Sequence, residues 1–269
     1  MKRASIDWSV HAWRALLVGA SLALWHALTA PGLLPNLVFS NDGQAAFFFG
    51  QPTEVATRLW SMFATGQVLP HLMTTLLETA LAFAIGTSIG LVGGLVLALN
   101  PRASAVAAPF IKAVNAMPRV VLAPIFAIWF GLGIWSKVVF GTTLVMFIVF
   151  FNVYQGTREI SRTLLANATI LGAGRRAMLR HVYLPAATSW VFSSLHTAVG
   201  MAFVGAVVGE YLGSARGVGY LIQQAEGVFD INTVIAGMVV LTVFALLLDA
   251  AVTWLERRLL VWHPNLETE

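Results

Sequence analysis

Long apolar runs recur along this chain at close to the length a bilayer demands. A membrane span needs about 20 mostly apolar residues in helical form. Backbone groups in hydrocarbon must bond within the segment, so the runs are read as helices. Six spans are predicted, at residues 12–30, 72–99, 105–131, 135–155, 186–210 and 232–255. A mean hydropathy of +0.79, with 58% hydrophobic and 10% charged residues, excludes an ordinary soluble domain. The reading is an all-α membrane protein with six transmembrane helices.

Each span has its own character. The first follows Lys2 and Arg3, lacks a small-residue cleavage site and carries His26, so it reads as a retained helix and not a signal peptide. The third is interrupted by Pro109, Lys112, Pro118, Arg119 and Pro124, breaks that neighbouring helices or a watery cavity can accommodate. On the second, Gly86, Gly90 and Gly94 lie four apart, a spacing that lets another helix approach closely.

Cations set the orientation. Lys2, Arg3, Arg102, Arg257 and Arg258 fall on the same side as Arg158, Arg162, Arg175, Arg176 and Arg180, whereas Arg58, Lys137 and Arg216 fall on the other. Positive residues stay cytoplasmic, so both termini are expected in the cytoplasm. Residues 31–70, with their Phe47-Phe48-Phe49 run, form an external connection anchored at the interface. The net charge of +4 fits a membrane surface better than nucleic acid, because stacking and phosphate-binding motifs are missing.

The densest cationic region runs from Arg158 to Pro185 between two spans. Two short helical patterns fit within it, one on Leu164, Leu165, Ala168 and Leu171, the other on Met178, Leu179 and Val182, with Gly172-Ala173-Gly174 as the turn between them. Pro185 suits the exit from the second helix. Short helices lying flat on the cytoplasmic face make a surface for a partner.

Four intramembrane ionisable groups stand out: Arg119, Glu78, His196 and Asp249, with Glu210 near an outer end. Such groups are functional candidates by default. Arg119 reads either as an interfacial charge paired with a carbonyl or with Glu78, or as an anion-attracting position on a translocation path. Glu78, His196 and Asp249 would serve an autonomous proton-coupled secondary transporter if they converged on one cavity, and otherwise make polar contacts between helices. His26 and His71 read as interfacial anchors. No His/Asp/Glu spacing suggests a metal, no cofactor motif is visible, and no catalytic triad or carboxylate pair suggests hydrolysis. The chain carries no Gly-x-x-x-x-Gly-Lys-[Ser/Thr] loop, so ATP-driven work would need hydrolysis on another chain.

The Arg158–Pro185 segment resembles the cytoplasmic loop of the inner-membrane permeases of binding-protein-dependent ABC importers. That family's loop reads Glu-Ala-Ala, three residues, Gly, nine residues, Ile, one residue, Leu-Pro. Gly172, Val182, Leu184 and Pro185 match its spacing, and the opening triplet is Ala166-Asn167-Ala168, without the acid. Further segments are similar to the nitrate, sulfonate, taurine and bicarbonate branch: Phe48-Phe49-Gly50-Gln51-Pro52, Thr75-Leu76-Leu77-Glu78, Pro118-Arg119 with Ile128-Trp129-Phe130-Gly131-Leu132-Gly133, and Val208-Gly209-Glu210-Tyr211 with Gly217-Val218-Gly219-Tyr220.

The resemblance implies a type I permease core over residues 71–260 with two short cytoplasmic coupling helices. An N-terminal helix and external connection would span 1–70, and a cytoplasmic tail 261–269. It also implies a permease homodimer in the bacterial inner membrane, two cytoplasmic ATPase subunits and an external or periplasmic substrate-binding protein. The chain itself would not be an enzyme. Ala166, Asn167, Ala168, Gly172, Val182, Leu184 and Pro185 would couple to the ATPase, and Arg119, Glu78, His196 and Glu210 would be candidates for the path of a small anion or sulfonate- or nitrate-type solute.

Overall fold

The computed structural model describes residues 8–30 and 42–259. Lys2, Arg3 and the predicted tail at 261–269 lie outside them. The described residues are almost entirely helical, without a strand among them. The helices are α1 (Trp8–Thr29), α2 (Asp42–Phe49), α3 (Pro52–Ala64), α4 (Val68–Leu99), α5 (Pro101–Ala116), α6 (Ala123–Phe130), α7 (Ile134–Arg158), α8 (Arg162–Ile170), α9 (Arg175–Met178), α10 (Leu184–Ser193), α11 (Leu195–Leu212), α12 (Val218–Gly227) and α13 (Ile231–Leu259). They divide between two compact units, one within Met1–Val68 and Leu221–Val240, the other within Leu69–Tyr220 and Leu241–Glu269.

Among the described residues four helices are long and apolar enough to cross a membrane, at Val68–Leu99, Ile134–Arg158, Leu195–Leu212 and Ile231–Glu256. A fifth crossing is counted if α5 and the Arg119–Phe130 segment make one broken span, bent by 82°. Six is therefore not reached. The first predicted span does form a helix, α1, but Arg14, Ser21 and His26 dilute its apolar run. The third breaks where Pro118 removes a backbone donor and forces Met117 into an extended conformation (ψ 135°). The fifth, predicted from residue 186, is two helices meeting at Ser194.

In the larger unit α7 is the central, most deeply buried span. Val145, Val149 and Val153 on its one face form a core with Ala82, Leu95, Ala187, Ala198 and Ala202. The small partners let the backbones close up. A Cβ at Gly90 would stand 2.6 Å from the Met146 carbonyl oxygen, one at Gly86 2.7 Å from Val145 Cβ, and one at Gly94 2.8 Å from the Phe150 carbonyl oxygen. The four-residue glycine spacing is thus the α4–α7 contact. On the other side, a Cβ at Gly205 of α11 would lie 2.6 Å from Gly141 Cα of α7.

In the smaller unit, Trp25 Nε1 of α1 donates to the Phe49 carbonyl (3.2 Å). The Gln51 amide donates to Asn232 Oδ1 (2.9 Å), and Arg58 of α3 pairs with Asp230 (3.6 Å).

Candidate functional site

The Arg158–Pro185 segment is built largely from exposed helices. Ser161 caps α8 by accepting from the Leu164 amide (3.1 Å). Its other end closes with Ala173 N–H donating to the Ala168 carbonyl (3.0 Å) and Gly172 N–H to Thr169 (3.0 Å). That reciprocal pattern needs a left-handed residue at its corner, and Gly172 supplies it at φ +81°. No residue of α8 is buried. Ala166 and Asn167 are exposed, Ala168 is half-buried, and the tip presents Ile170 and Leu171 at 83% and 86% exposure.

The second short helix differs from expectation. α9 does not stop before the next span; it runs into α10 through a widened π turn at Leu179–Tyr183. Pro185 sits in the first turn of α10, where its missing N–H is tolerated, and the wider turn accommodates its ring. Val182, Leu184 and Pro185 therefore belong to one helical rod from Arg175 to Ser193.

Arg119 lies at the 82° bend, half-buried. Its guanidinium donates to Asn115 Oδ1 and stands 4.4 Å over the Phe147 ring. Neither partner is a backbone carbonyl or Glu78, the two the interfacial reading allowed. The ring and amide hold the cation without neutralising it.

Glu78 and Glu210 come together instead, each 1% exposed, with Lys137 equally buried beside them. Glu210 Oε1 accepts from Thr75 Oγ1 (2.6 Å), and Oε2 accepts from the Gly219 amide (2.8 Å). Thr75 Oγ1 in turn accepts from the Val218 amide (3.2 Å). Gly217 adopts φ +106°, and any Cβ there would overlap the Glu210 carboxyl group. Lys137 Nζ donates to the carbonyls of Leu132 (2.6 Å) and Gly133 (3.0 Å), so it is an interior cation at the start of α7. His71, expected as an anchor, has Nδ1 3.1 Å from both the amide nitrogen and the carbonyl oxygen of Gly217, and its ring stacks on Tyr220. The cluster ties the start of α4 to the end of α11 and the loop after it.

His196 occupies a separate place. Nδ1 lies 2.6 Å from Asp249 Oδ1 and Nε2 3.1 Å from Glu256 Oε2, all at least partly exposed. Glu78, His196 and Asp249 thus fall into two groups, so the proton-relay arrangement that an autonomous porter requires is not what the chain builds. Sequence spacing did not reveal Lys137, Thr75 or Gly217 as members of the carboxylate cluster. Lys137 is remote in sequence from both carboxylates, and Thr75, one turn before Glu78, bonds Glu210 across 135 residues. Among the described residues no group of three or more His, Cys, Asp or Glu could hold a metal.

Residues 86–261 match the family model described as binding-protein-dependent transport system inner membrane component. The chain is 27% identical to a putative aliphatic sulfonates transport permease protein of Bacillus subtilis, over 94% of this chain and 88% of the relative. It is 32% identical to a probable ABC transporter permease protein of Haemophilus influenzae, over 92% and 96%. It is 33% identical to a riboflavin transport system permease protein of Chloroflexus aurantiacus, over 90% and 92%. The buried glycine contacts, the exposed arginine-rich loop and these matches agree, and the chain belongs to the inner-membrane permease components of binding-protein-dependent ABC importers.

Proposed function

We propose that this permease passes a small organic anion along a route served by Arg119, and that the Arg158–Pro185 segment takes its drive from a cytoplasmic ATPase. The permease is not an enzyme, and its partners are an ABC ATPase and a substrate-binding protein. The observation that carries the coupling assignment is the tip of α8. Two large apolar side chains, Ile170 and Leu171, stand almost fully exposed on a capped helix among arginines. That arrangement suits a protein groove better than water. In the proposal Ala166, Asn167, Ala168 and Gly172 shape the docking helix, and Val182, Leu184 and Pro185 carry its movement toward the spans.

Two pairings support a topology with α5 and α6 as one broken crossing. Arg58 precedes α4 and Asp230 precedes α13, yet they bond. His71 near the start of α4 meets Gly217 after α11. Each pairing requires an even number of crossings between its partners, and α4, the bent pair, α7 and α11 supply four. With α1 as an additional crossing, both termini would be cytoplasmic. We read the assembly as a homodimer with two ATPase copies, since α5 has no buried residue in a single chain.

The substrate reading rests on Arg119. The B. subtilis relative is named for aliphatic sulfonates and the C. aurantiacus relative for riboflavin, so the scaffold itself does not select one solute. A guanidinium held by an aromatic face and an amide retains donors for an oxyanion. Glu78 and Glu210 are better suited to bracing the path's outer end than to lining it, and His196 to holding α11 against α13.

The test is ATP-dependent uptake in proteoliposomes holding the permease, its ATPase and the binding protein. Ile170→Asp with Leu171→Asp should abolish both ATPase association and uptake while the permease still folds. Retained association would overturn the coupling assignment.

A further inference from the structure

The surface of α3 divides into three stripes at helical spacing. Val55, Leu59 and Met62 face the protein, with Val55 and Met62 buried. Glu54, Arg58 and Ser61 form a polar stripe. Ala56, Trp60 and Phe63 form a third, apolar yet exposed, with Trp60 at 75%. A helix surrounded by water has no use for that third stripe. One lying in a membrane interface does, because it must offer one flank to protein, one to headgroups and one to acyl chains.

The turn after α12 presents a second aromatic group beside it. Asp230 N–H donates to the Ala225 carbonyl (2.9 Å) and Phe229 N–H to Glu226 (2.9 Å), the same closing pattern as at Gly172. Here the left-handed corner is a phenylalanine at φ +57°, a conformation glycine adopts freely and a bulky residue resists. The ring is 68% exposed and stacks on Phe47, which meets Phe48 edge to face. A strained backbone that carries an exposed aromatic ring is explained if the ring itself is needed there.

Chain continuity names the occupant. α3 ends at Ala64 and the apolar span α4 begins at Val68; Phe229 lies two residues before the span that starts at Ile231. Both aromatic groups are therefore tethered at span mouths, and Arg58–Asp230 joins them. Tryptophan and other aromatics gather at that depth. The flanking charges, Glu54, Arg58 and Asp230, carry no positive excess that would favour an anionic lipid.

We propose that Trp60, Phe63, Phe229, Phe47 and Phe48 form an aromatic collar seated in the headgroup layer of the outer leaflet, with α3 lying in the membrane plane. The outer location rests on the topology proposed above; the seating in lipid does not.

The chain has no cysteine, so single Cys variants can be spin-labelled in the assembled complex in proteoliposomes of neutral phospholipid. Labels at Trp60→Cys, Phe63→Cys and Phe229→Cys should collide with oxygen in preference to a polar nickel chelate, and labels at Thr57→Cys and Ser61→Cys should show the reverse. Equal chelate access across all five would overturn the proposal. So would labels at 60 and 63 that are chelate-accessible until the binding protein is added, which would mark a protein-docking surface. Ser61→Cys labelled by an impermeant maleimide only in inverted vesicles would overturn the topology and leave the collar standing.

Discussion

Thr75 Oγ1 donates to Glu210 Oε1 at 2.6 Å across 135 residues of sequence. Through that bond the first turns of α4 hold the end of α11, and the Val218 and Gly219 amides close round the same two side chains. A buried carboxylate with this many donors cannot be removed quietly.

Glu210→Ala should destabilise the permease by about 3 kcal/mol, because it strands the Gly219 amide and leaves the buried Lys137 with Glu78 as its remaining counter-charge. Glu210→Gln keeps one acceptor and places an amide donor against another donor, so it should lose about 1–2 kcal/mol. Thermal unfolding in detergent, followed by size-exclusion profile, measures both.

Lys137→Met removes the cation beside two buried carboxyl groups. It should lower thermal stability markedly, and Glu78→Gln introduced with it should restore part of the loss. A double-mutant cycle would then show a coupling of about 1 kcal/mol or more; strict additivity would separate the two residues energetically.

The glycines of α4 make a graded test. Gly90→Ala drives a methyl group against the Met146 carbonyl oxygen at 2.6 Å, whereas Gly93→Ala meets only the Phe150 ring at 3.5 Å. Overpacking of the first kind costs about 1–3 kcal/mol. Membrane expression and detergent stability should fall for Gly90→Ala and remain near normal for Gly93→Ala.

Arg119→Gln should leave membrane expression intact and reduce uptake of an organic anion at least tenfold, which corresponds to about 1.4 kcal/mol. Arg119→Lys keeps the charge but loses the flat stack on Phe147, so an intermediate rate is expected. Normal uptake in Arg119→Gln would remove this side chain from the route.

The spans and their helix-packing glycines were legible because both depend on spacings of a few residues, and hydropathy or a four-residue repeat registers them directly. The turn at Gly172 was legible for the same reason, because it acts on its own neighbours, whereas Pro185 was read as a helix exit and lies inside a continuous rod. Lys137 was read only for the side it marks, because polarity near a span end gives the side and not the depth. Arg119 was offered a carbonyl or Glu78 as partner in one of its two readings, whereas Asn115, one turn away on α5, and Phe147 were nearer to hand. The carboxylate cluster was invisible in sequence because positions 78, 137 and 210 meet only after three helices have packed.

The π turn at Leu179–Tyr183 lets the rod from Arg175 pass Pro185 unbroken and reach Ser194 before it yields. In the proposed coupling it would act as a crankshaft. A tilt imposed at its Arg175 end would then travel along the rod without slack, and the joint at Ser194 is where that tilt would first become displacement of α11.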